Sequence, residues 1–392
     1  MSKVKFTDTI LKALAIAMNK NLPFALYLFP KESKPHFFAS THIADTHEDD
    51  LCQSSSWQGL AIDFFHPQGD FPIEITNQLS AKELISKCDE IEALPYGQPR
   101  MHFNSTSPTL YLSQLQKFVT ALRSPDIPLK KAVLCRTVNC LGRNVIQVSE
   151  EYFTVFHDTF RFLYYTPSTG MWLGASPELL IDCDFQTHKL QTMSLAGTKT
   201  VEQEPWNNKN IVEHNIVTRY IVSAMKLVGL EPKVSEMYER PFGNVFHLCN
   251  DISADFDTIN PLRLLRKLSP TPALCGYPKQ EAMKLIESTE TFDRLCYGGW
   301  LAVKDDKGVH AYVNLRCASV NTMFDSLHHY CVYTGGGIMP DSNFLDEWNE
   351  TANKALMLCS IISLPGDTQC IEDLTDASLT INPEFKCKRT TR

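Results

Sequence analysis

The sequence predicts an α+β protein built around antiparallel β-sheets. Short strand-like runs follow one another over turns in two stretches, residues 161–195 and 297–334, which is typical of antiparallel strands. Helical patterns stand between these groups and not after every strand, so the regular alternation of a parallel nucleotide-binding sheet is missing. With 392 residues, 43% of them hydrophobic, the chain can form one large core or two to three domains.

Hydrophobic spacing predicts the elements in chain order. A helix over residues 7–20 begins at Thr7, whose side chain is a typical N-cap, and a strand over 24–29 is stopped by Pro30. Polar and proline-rich turns break the pattern between residues 30 and 108, where no elements are predicted.

The pattern is stronger from residue 110 onward. Helices are predicted over residues 110–122, 150–160, 207–229, 261–268, 279–289 and 342–362. Strands are predicted over residues 132–139, 161–166, 171–182, 188–195, 297–304, 309–320 and 328–334.

Composition excludes several function classes. The net charge of −8 provides no basic excess for a nucleic-acid backbone. The thirteen cysteines include no Cys-x-x-Cys pair, so reduced and mostly buried thiols of a cytoplasmic protein are expected. The N-terminus does not resemble a signal peptide, and no apolar run is long enough to cross a membrane.

Three glutamates and one lysine lie at unusual positions. Glu213 falls on the apolar stripe of the long helix, so it requires an ion-pair partner such as Arg219 or a lysine, or else a metal or substrate role. In the last helix, Glu347, Glu350 and Lys354 share one side, and the residues alone favour a solvated face.

A glycine segment and two basic residues could also contact a ligand. Gly335–Gly337 can form a tight turn or allow backbone N–H groups to approach an anion, and Arg316 could grip a carboxylate. Lys131 lies in a predicted strand, either as a snorkelling edge residue or as a desolvated amine that acts as a general base.

Taken in order, these segments resemble the chorismate-utilising enzymes, which include isochorismate synthase, salicylate synthase, anthranilate synthase component I and aminodeoxychorismate synthase. The resemblance rests on the segments Lys131–Arg136, Gly174–Leu180, Leu195–Thr198, Glu213–His214, Pro270–Pro278, Phe292–Gly299, Arg316–Ala318, Gly335–Ile338 and Glu347–Thr351. It implies large antiparallel sheets packed as a sandwich with helices on the outside, as in anthranilate synthase component I. The implied organisation is an N-terminal portion of the same fold (1–109), a chorismate-binding catalytic region (110–365) and a C-terminal tail (366–392).

The resemblance also implies a metal site and a substrate pocket. Glu213 and Glu350, helped by Glu347, would hold a Mg²⁺ ion that chelates the ring carboxylate of chorismate, and carboxylates suit such a hard cation. The residues implied around the substrate are Gly197, Thr198, His247, Ala273, Arg316, Gly335, Gly337 and Lys354.

Two residues would carry the chemistry in this family. Lys131 would be the general base that activates water for attack at ring C2, and Glu178 the general acid that protonates the departing C4 hydroxyl. Hydroxide is a poor leaving group, so this protonation is required. The implied reaction converts chorismate to isochorismate, which can feed menaquinone or catechol siderophore synthesis.

Local differences separate the members of the family. Ala196 stands where aminodeoxychorismate synthases typically carry a nucleophilic lysine, and the run after Glu213-His214 is closest to the isochorismate group. Isochorismate synthase is therefore the predicted activity. The alternatives are salicylate synthase, which adds pyruvate elimination, and a non-catalytic chorismate-binding relative. Chorismate is the expected small-molecule partner, and no glutamine amidotransferase subunit is expected.

Overall fold

The computed structural model describes most of the chain. It covers residues 3–375 apart from 43, 46, 48, 68, 70, 71, 98–101, 103, 201, 203, 244, 323–326, 365 and 368. The helices of these residues are α1 (Asp8–Asn19), α2 (Ala81–Ser86), α3 (Pro108–Arg123), α4 (Val145–Val155), α5 (Asn208–Leu227), α6 (Pro261–Leu268), α7 (Lys279–Thr289), α8 (Phe344–Ile362) and α9 (Gln369–Thr375). In this part of the chain, we find no helix with the length and apolar character that crossing a bilayer demands.

The strands fall into an N-terminal and a longer C-terminal group. The first group is β1 (Phe24–Leu28), β2 (His36–Ala39), β3 (Ala44–Asp45), β4 (Gly59–Asp63), β5 (Ile73–Thr76) and β6 (Leu79–Ser80). The second group begins with β7 (Lys131–Gly142), β8 (Phe160–Thr166), β9 (Gly170–Ser176), β10 (Leu179–Asp184), β11 (Lys189–Lys199), β12 (Lys233–Val234), β13 (Tyr238–Phe242) and β14 (Val245–Asp255). It ends with β15 (Gly276–Tyr277), β16 (Trp300–Lys304), β17 (Gly308–Val313), β18 (Cys317–Thr322) and β19 (His328–Ile338).

These strands form two antiparallel sheets. The first sheet has the order β15-β7-β19-β18-β9-β8-β1-β2-β6, and the second has the order β12-β14-β11-β10-β17-β16-β4-β5-β3 with β13 beside β14. The N-terminal strands belong to both sheets, because β1 pairs with β8 and β4 pairs with β16. The predicted α+β class with large antiparallel sheets is confirmed.

A shared core lies between the two sheets. Phe160 of the first sheet stacks on Tyr312 of the second with ring centroids 4.3 Å apart, within one large apolar cluster. A second cluster joins the first sheet to α1, α4 and α8 through side chains such as Leu14, Val148 and Ala355. Every residue of β8 and β9 is buried, so both faces of this part of the first sheet are covered.

The structure corrects one predicted helix and adds elements that were not predicted, among them the N-terminal strands β2–β6 and the long strand β14. The helix predicted over 150–160 is α4, five residues earlier, because the Asn144 side chain accepts a hydrogen bond from the Ile146 N–H and caps its start. Strand β14 was not predicted, although its second half alternates buried residues with the exposed Asp251, Ser253 and Asp255, which is the pattern of a half-buried strand.

Two strands predicted as single runs are each broken in the middle. The run 171–182 divides into β9 and β10 at Pro177-Glu178, and the run 309–320 divides into β17 and β18 at residues 314–316. Pro177 has no N–H for a ladder, and Arg316 has a φ of +52°, which ends an extended conformation.

The cysteine prediction is partly wrong. Cys140 of β7 and Cys370 of α9 form a disulfide, so not all thiols are reduced. Eight of the other described cysteines are buried thiols, as expected.

Candidate functional site

A pocket of about 590 Å³, its open mouth included, has walls from both sheets and from α5 and α8. Most of the predicted site residues line it: Glu178, Gly197, Thr198, Glu213, His247, Ala273, Arg316, Gly335, Gly337 and Lys354. Lys131 and Glu350 lie directly behind this lining and form ion pairs with Glu213 and Lys354 of the lining. Glu347 lies beside Glu350. The structure therefore brings the predicted residues together in one place.

Both broken strands cross from one sheet to the other beside this pocket. The chain leaves the first sheet after β9 and enters the second at β10, and it returns from β17 to β18. The two crossings lie side by side, because Val313 N–H donates to the Glu178 carbonyl (3.1 Å) and Ala175 N–H donates to the Arg316 carbonyl (3.2 Å). Glu178 and Arg316 therefore leave the ladders at adjacent points.

Glu178 is a buried carboxyl group. Burial raises its pKa to about 8, although the positive charges of Lys131 and Arg316 and a hydrogen bond from the Thr271 hydroxyl act in the opposite direction. The group is therefore mostly protonated at neutral pH. A carboxylic acid in this state can donate a proton to a ligand in the pocket.

Arg316 and His247 form a buried hydrogen-bonded pair. Arg316 Nη2 donates to His247 Nε2 (2.9 Å), and His247 Nδ1 donates to the Gly197 carbonyl (2.8 Å), which fixes a neutral imidazole. Burial and the nearby charges of Arg316 and Lys354 lower the pKa of His247 to about 3. Arg316 Nη1 is buried with no hydrogen-bond partner among the described residues, so it can bind an anionic group.

Three glutamates form a cluster at the pocket wall, and each faces a lysine. Lys131 Nζ lies 2.8 Å from Glu213 Oε1, Lys354 Nζ lies 2.7 Å from Glu350 Oε1, and Lys209 pairs with Glu347.

The ion pairs settle two alternatives. The described partner of Glu213 is Lys131 and not Arg219. Interpreting the α8 side as a solvated face is wrong, because the Glu347 side chain is fully buried.

The surroundings shift the pKa values of the two α8 carboxyl groups in opposite directions. Burial and the charge of Glu350 raise the pKa of Glu347, despite the ammonium of Lys209. Burial opposes ionisation of Glu350, but Lys354 and Lys209 outweigh it and lower the pKa of Glu350. The cluster therefore holds at least one firmly ionised carboxylate in a site of low dielectric.

The cluster has the features of a cation site. Glu347 Oε2 is buried without a hydrogen-bond partner in the described part of the chain. Gly336 and Gly337 keep space beside the carboxylates, because an added Cβ would lie 3.1 Å from Glu347 Oε2 at the first position and 2.2 Å from Glu213 Oε1 at the second. Carboxylate oxygens are the donors that a hard divalent cation prefers.

The glycine segment is not a turn. Gly335, Gly336 and Gly337 lie inside β19, where they pair with Cys135, Leu134 and Val133 of β7. The tight-turn alternative is therefore wrong, and the missing side chains serve close approach by the glutamates.

Sequence reasoning missed Lys209. It lies in the first turn of α5, four residues before Glu213, and this i,i+4 spacing was the available signal. Its ion pair with Glu347 joins residues far apart in the chain, which no local pattern could reveal.

Comparisons with known proteins agree with this site. The family model described as chorismate binding enzyme matches residues 51–363. Isochorismate synthase MenF of Haemophilus influenzae is 29% identical over 52% of this chain and 49% of its own length. Isochorismate synthase EntC of Escherichia coli K12 is 30% identical over 50% of this chain and 52% of its own length. The chain thus aligns with about half the length of these curated relatives.

A solved structure shows the same fold over most of the chain. The menaquinone-specific isochorismate synthase MenF of Escherichia coli has a TM-score of 0.69 and 18% identity, with 91% of each chain covered. Since the family model matches well over half of the sequence, this chain belongs to the family of chorismate-binding enzymes.

Proposed function

We propose that this chain is an isochorismate synthase, which converts chorismate to isochorismate. The observation that carries the proposal is the protonated, buried Glu178 in a pocket that also has the unpaired Arg316 Nη1, with the buried Lys131 behind its wall. Its curated relatives carry the name isochorismate synthase, which supports the same activity.

The reaction needs one proton removed and one supplied. Lys131, in its neutral form, takes a proton from water as the new C2–O bond forms, and Glu178 gives its proton to the oxygen that leaves C4. The C4 hydroxyl departs as water, so atoms balance and the ring keeps its composition. Glu178 suits this role because burial keeps it protonated at neutral pH.

The chain also provides groups for the negative charges of the substrate. Arg316 Nη1 and the ammonium of Lys354 face the pocket and would bind carboxylate oxygens. A Mg²⁺ ion held by Glu213, Glu347 and Glu350 would supply positive charge to the ring carboxylate. Gly335 and Gly337 leave the backbone accessible to the ligand.

A product assay tests the proposal. Purified protein with Mg²⁺ and chorismate should form isochorismate, detected by chromatography. Lys131→Ala and Glu178→Gln should each lower kcat by about 10²- to 10⁴-fold, because each removes one proton-transfer group, while chorismate still binds. Lys130→Ala is the matched control, since this neighbouring lysine is exposed and should keep normal turnover.

Three results would contradict the proposal. Salicylate and pyruvate as the sole products would assign the chain to salicylate synthases. Turnover no faster than in buffer would indicate a non-catalytic relative. Equal losses in Lys130→Ala and Lys131→Ala would remove the assignment of the base.

A further inference from the structure

Arg316 is held in an unusual way for a residue at a binding site. Its φ of +52° lies in the left-handed region, which costs a non-glycine residue conformational energy. Its guanidinium is buried, yet among the described residues it makes no ion pair with a carboxylate. Burial accordingly lowers the pKa of Arg316 to about 10. Other contacts must therefore keep this side chain in place.

The Arg316 backbone is fixed from behind by a helix that does not line the pocket. The Tyr152 hydroxyl of α4 donates to the Arg316 carbonyl (3.0 Å), beside the bond from Ala175 N–H. Tyr152 is 1% exposed, so its hydroxyl has no access to bulk water. Two donors on one carbonyl restrain the peptide plane that follows the left-handed residue.

The same helix also supports the guanidinium. Phe156, the residue that ends α4, stacks on Phe242 with ring centroids 4.5 Å apart and planes 15° apart. Phe242 in turn lies under the guanidinium, with Arg316 Cζ 4.8 Å from the ring centroid. Tyr152 and Phe156 pack against each other at 4.8 Å. One end of α4 therefore contacts both the backbone and, through Phe242, the face of Arg316.

We propose that Tyr152 is a positioning residue that holds Arg316 in its left-handed conformation and aims its free Nη1 at an anionic ligand. The inference deepens the proposed function and rests on it, because the ligand is taken to be chorismate. Tyr152 acts only through Arg316 and does not touch the pocket.

The test compares two buried tyrosines that each donate to one carbonyl. Tyr152→Phe should raise the KM and the Kd for chorismate about fivefold to tenfold, with kcat within about twofold, because a single hydrogen bond is lost. Tyr330→Phe is the matched control, since the Tyr330 hydroxyl donates to the Arg143 carbonyl (2.6 Å) away from the pocket. Tyr330→Phe should leave the KM, the Kd and kcat within about twofold of the wild-type values.

A double-mutant cycle shows whether the effect passes through Arg316. In an Arg316→Lys background, Tyr152→Phe should change the Kd for chorismate by less than about twofold, since the group it positions is gone. Full additivity in that background, or equal effects of Tyr152→Phe and Tyr330→Phe, would overturn the proposal.

Two further measurements keep the result interpretable. If Tyr152→Phe unfolds, Phe242→Leu replaces it in the cycle and should weaken binding in the same non-additive way. Calorimetric titration with chorismate separates the two proposals. A wild-type protein that binds chorismate without forming isochorismate contradicts the proposed function, whereas the cycle on Kd still decides the role of Tyr152.

Discussion

Burial of the Glu178 carboxyl group lowers the stability of the folded protein at high pH. Its proposed role as a general acid explains why the group is buried. A carboxyl group taken out of water favours its neutral form, and here burial raises the pKa of Glu178 from its ordinary value of 4.5 to about 8. The folded state therefore binds this proton more tightly than the unfolded state does. As the pH rises from about 4.5 to about 8, the free energy of unfolding falls.

This linkage predicts a stabilising variant. Glu178→Gln keeps the shape of the side chain without the charge, so at pH 8.5 it should raise the free energy of unfolding by about 1–3 kcal/mol. At pH 4.5 the difference between the two proteins should shrink towards zero. Urea denaturation at both pH values measures it. An equal difference at both pH values would show that the charge of Glu178 is not the cause.

The local sequence pattern predicted some residues of the candidate site and missed others. Glu213 was noticeable because a carboxylate interrupts an apolar stripe, and the structure gives it the partner Lys131. Tyr152 and Lys209 carried no such signal. The atoms they contact, the Arg316 carbonyl and the Glu347 carboxylate, are distant in sequence and adjacent only after folding.

Helix α8 is the element that presents most of the charged groups. Its rotation is fixed by Arg136 of β7, whose Nε donates to Thr351 Oγ1 (2.9 Å) and whose guanidinium lies 3.5 Å from the centroid of the Trp348 ring. Because of this anchor, Glu347 and Glu350 face the glycines of β19.

The arrangement predicts that α8 contributes to cation binding in the absence of substrate. Mg²⁺ at millimolar concentration should raise the Tm of the wild-type protein by about 1–3 °C, because an ion that binds only the folded state stabilises it. Glu347→Gln should lose most of this increase. Asp346→Asn is the control, since Asp346 is an exposed neighbour on the same helix.

The comparison uses the Mg²⁺-dependent change in Tm and not the Tm itself, since Glu347→Gln also loses its pairing with Lys209. The same Mg²⁺-dependent change in both variants would be evidence against the carboxylate cluster as a cation site. Addition of a chelator should reverse the change in the wild-type protein.

Element prediction succeeded for the long helices, and its failures include the alternating strand β14 and the points where a strand changes sheet. The long helices and most strands follow apolar spacing closely. The break at residues 314–316 contains neither glycine nor proline, so the run through Arg316 read as one strand. Arg316 adopts a positive φ because the chain crosses between the two sheets there. This crossing depends on tertiary structure and not on the local sequence.

On the scale of the whole molecule, the pocket connects the two sheets. Gly335 and Gly337 belong to β19 of the first sheet, while Gly197 and His247 belong to β11 and β14 of the second. A ligand that contacts both walls therefore adds its binding free energy to the stability of both sheets.

Hydrogen exchange can measure this effect. With chorismate at about 100 times its Kd, amides that exchange through global opening should gain about 2.7 kcal/mol of protection. Local protection should increase in both β11 and β19, and β2, which lies one strand in from the edge of the first sheet, provides a remote reference. Local protection confined to one sheet would contradict the placement of the ligand between them.

The series of strands in the sequence predicted the fold class. It did not predict the order of the strands in each sheet. The pairing of β1 with β8 and of β4 with β16 joins the N-terminal part, where the pattern was weak, to strands far along the chain. Apolar spacing shows which face of a strand is buried and carries no information about its neighbour.

The ladder between β7 and β19 also limits where the chain can change length. Its pairs run from Ala132 opposite Ile338 to Gly142 opposite His328, and Lys131 directly precedes the first pair. Because side chains alternate between faces, one inserted residue near Val133 would turn Lys131 to the opposite side of the sheet from the glutamates. An insertion after Gly142 lies outside the ladder and would leave its register intact, so this end tolerates a change of length better than the end near Val133.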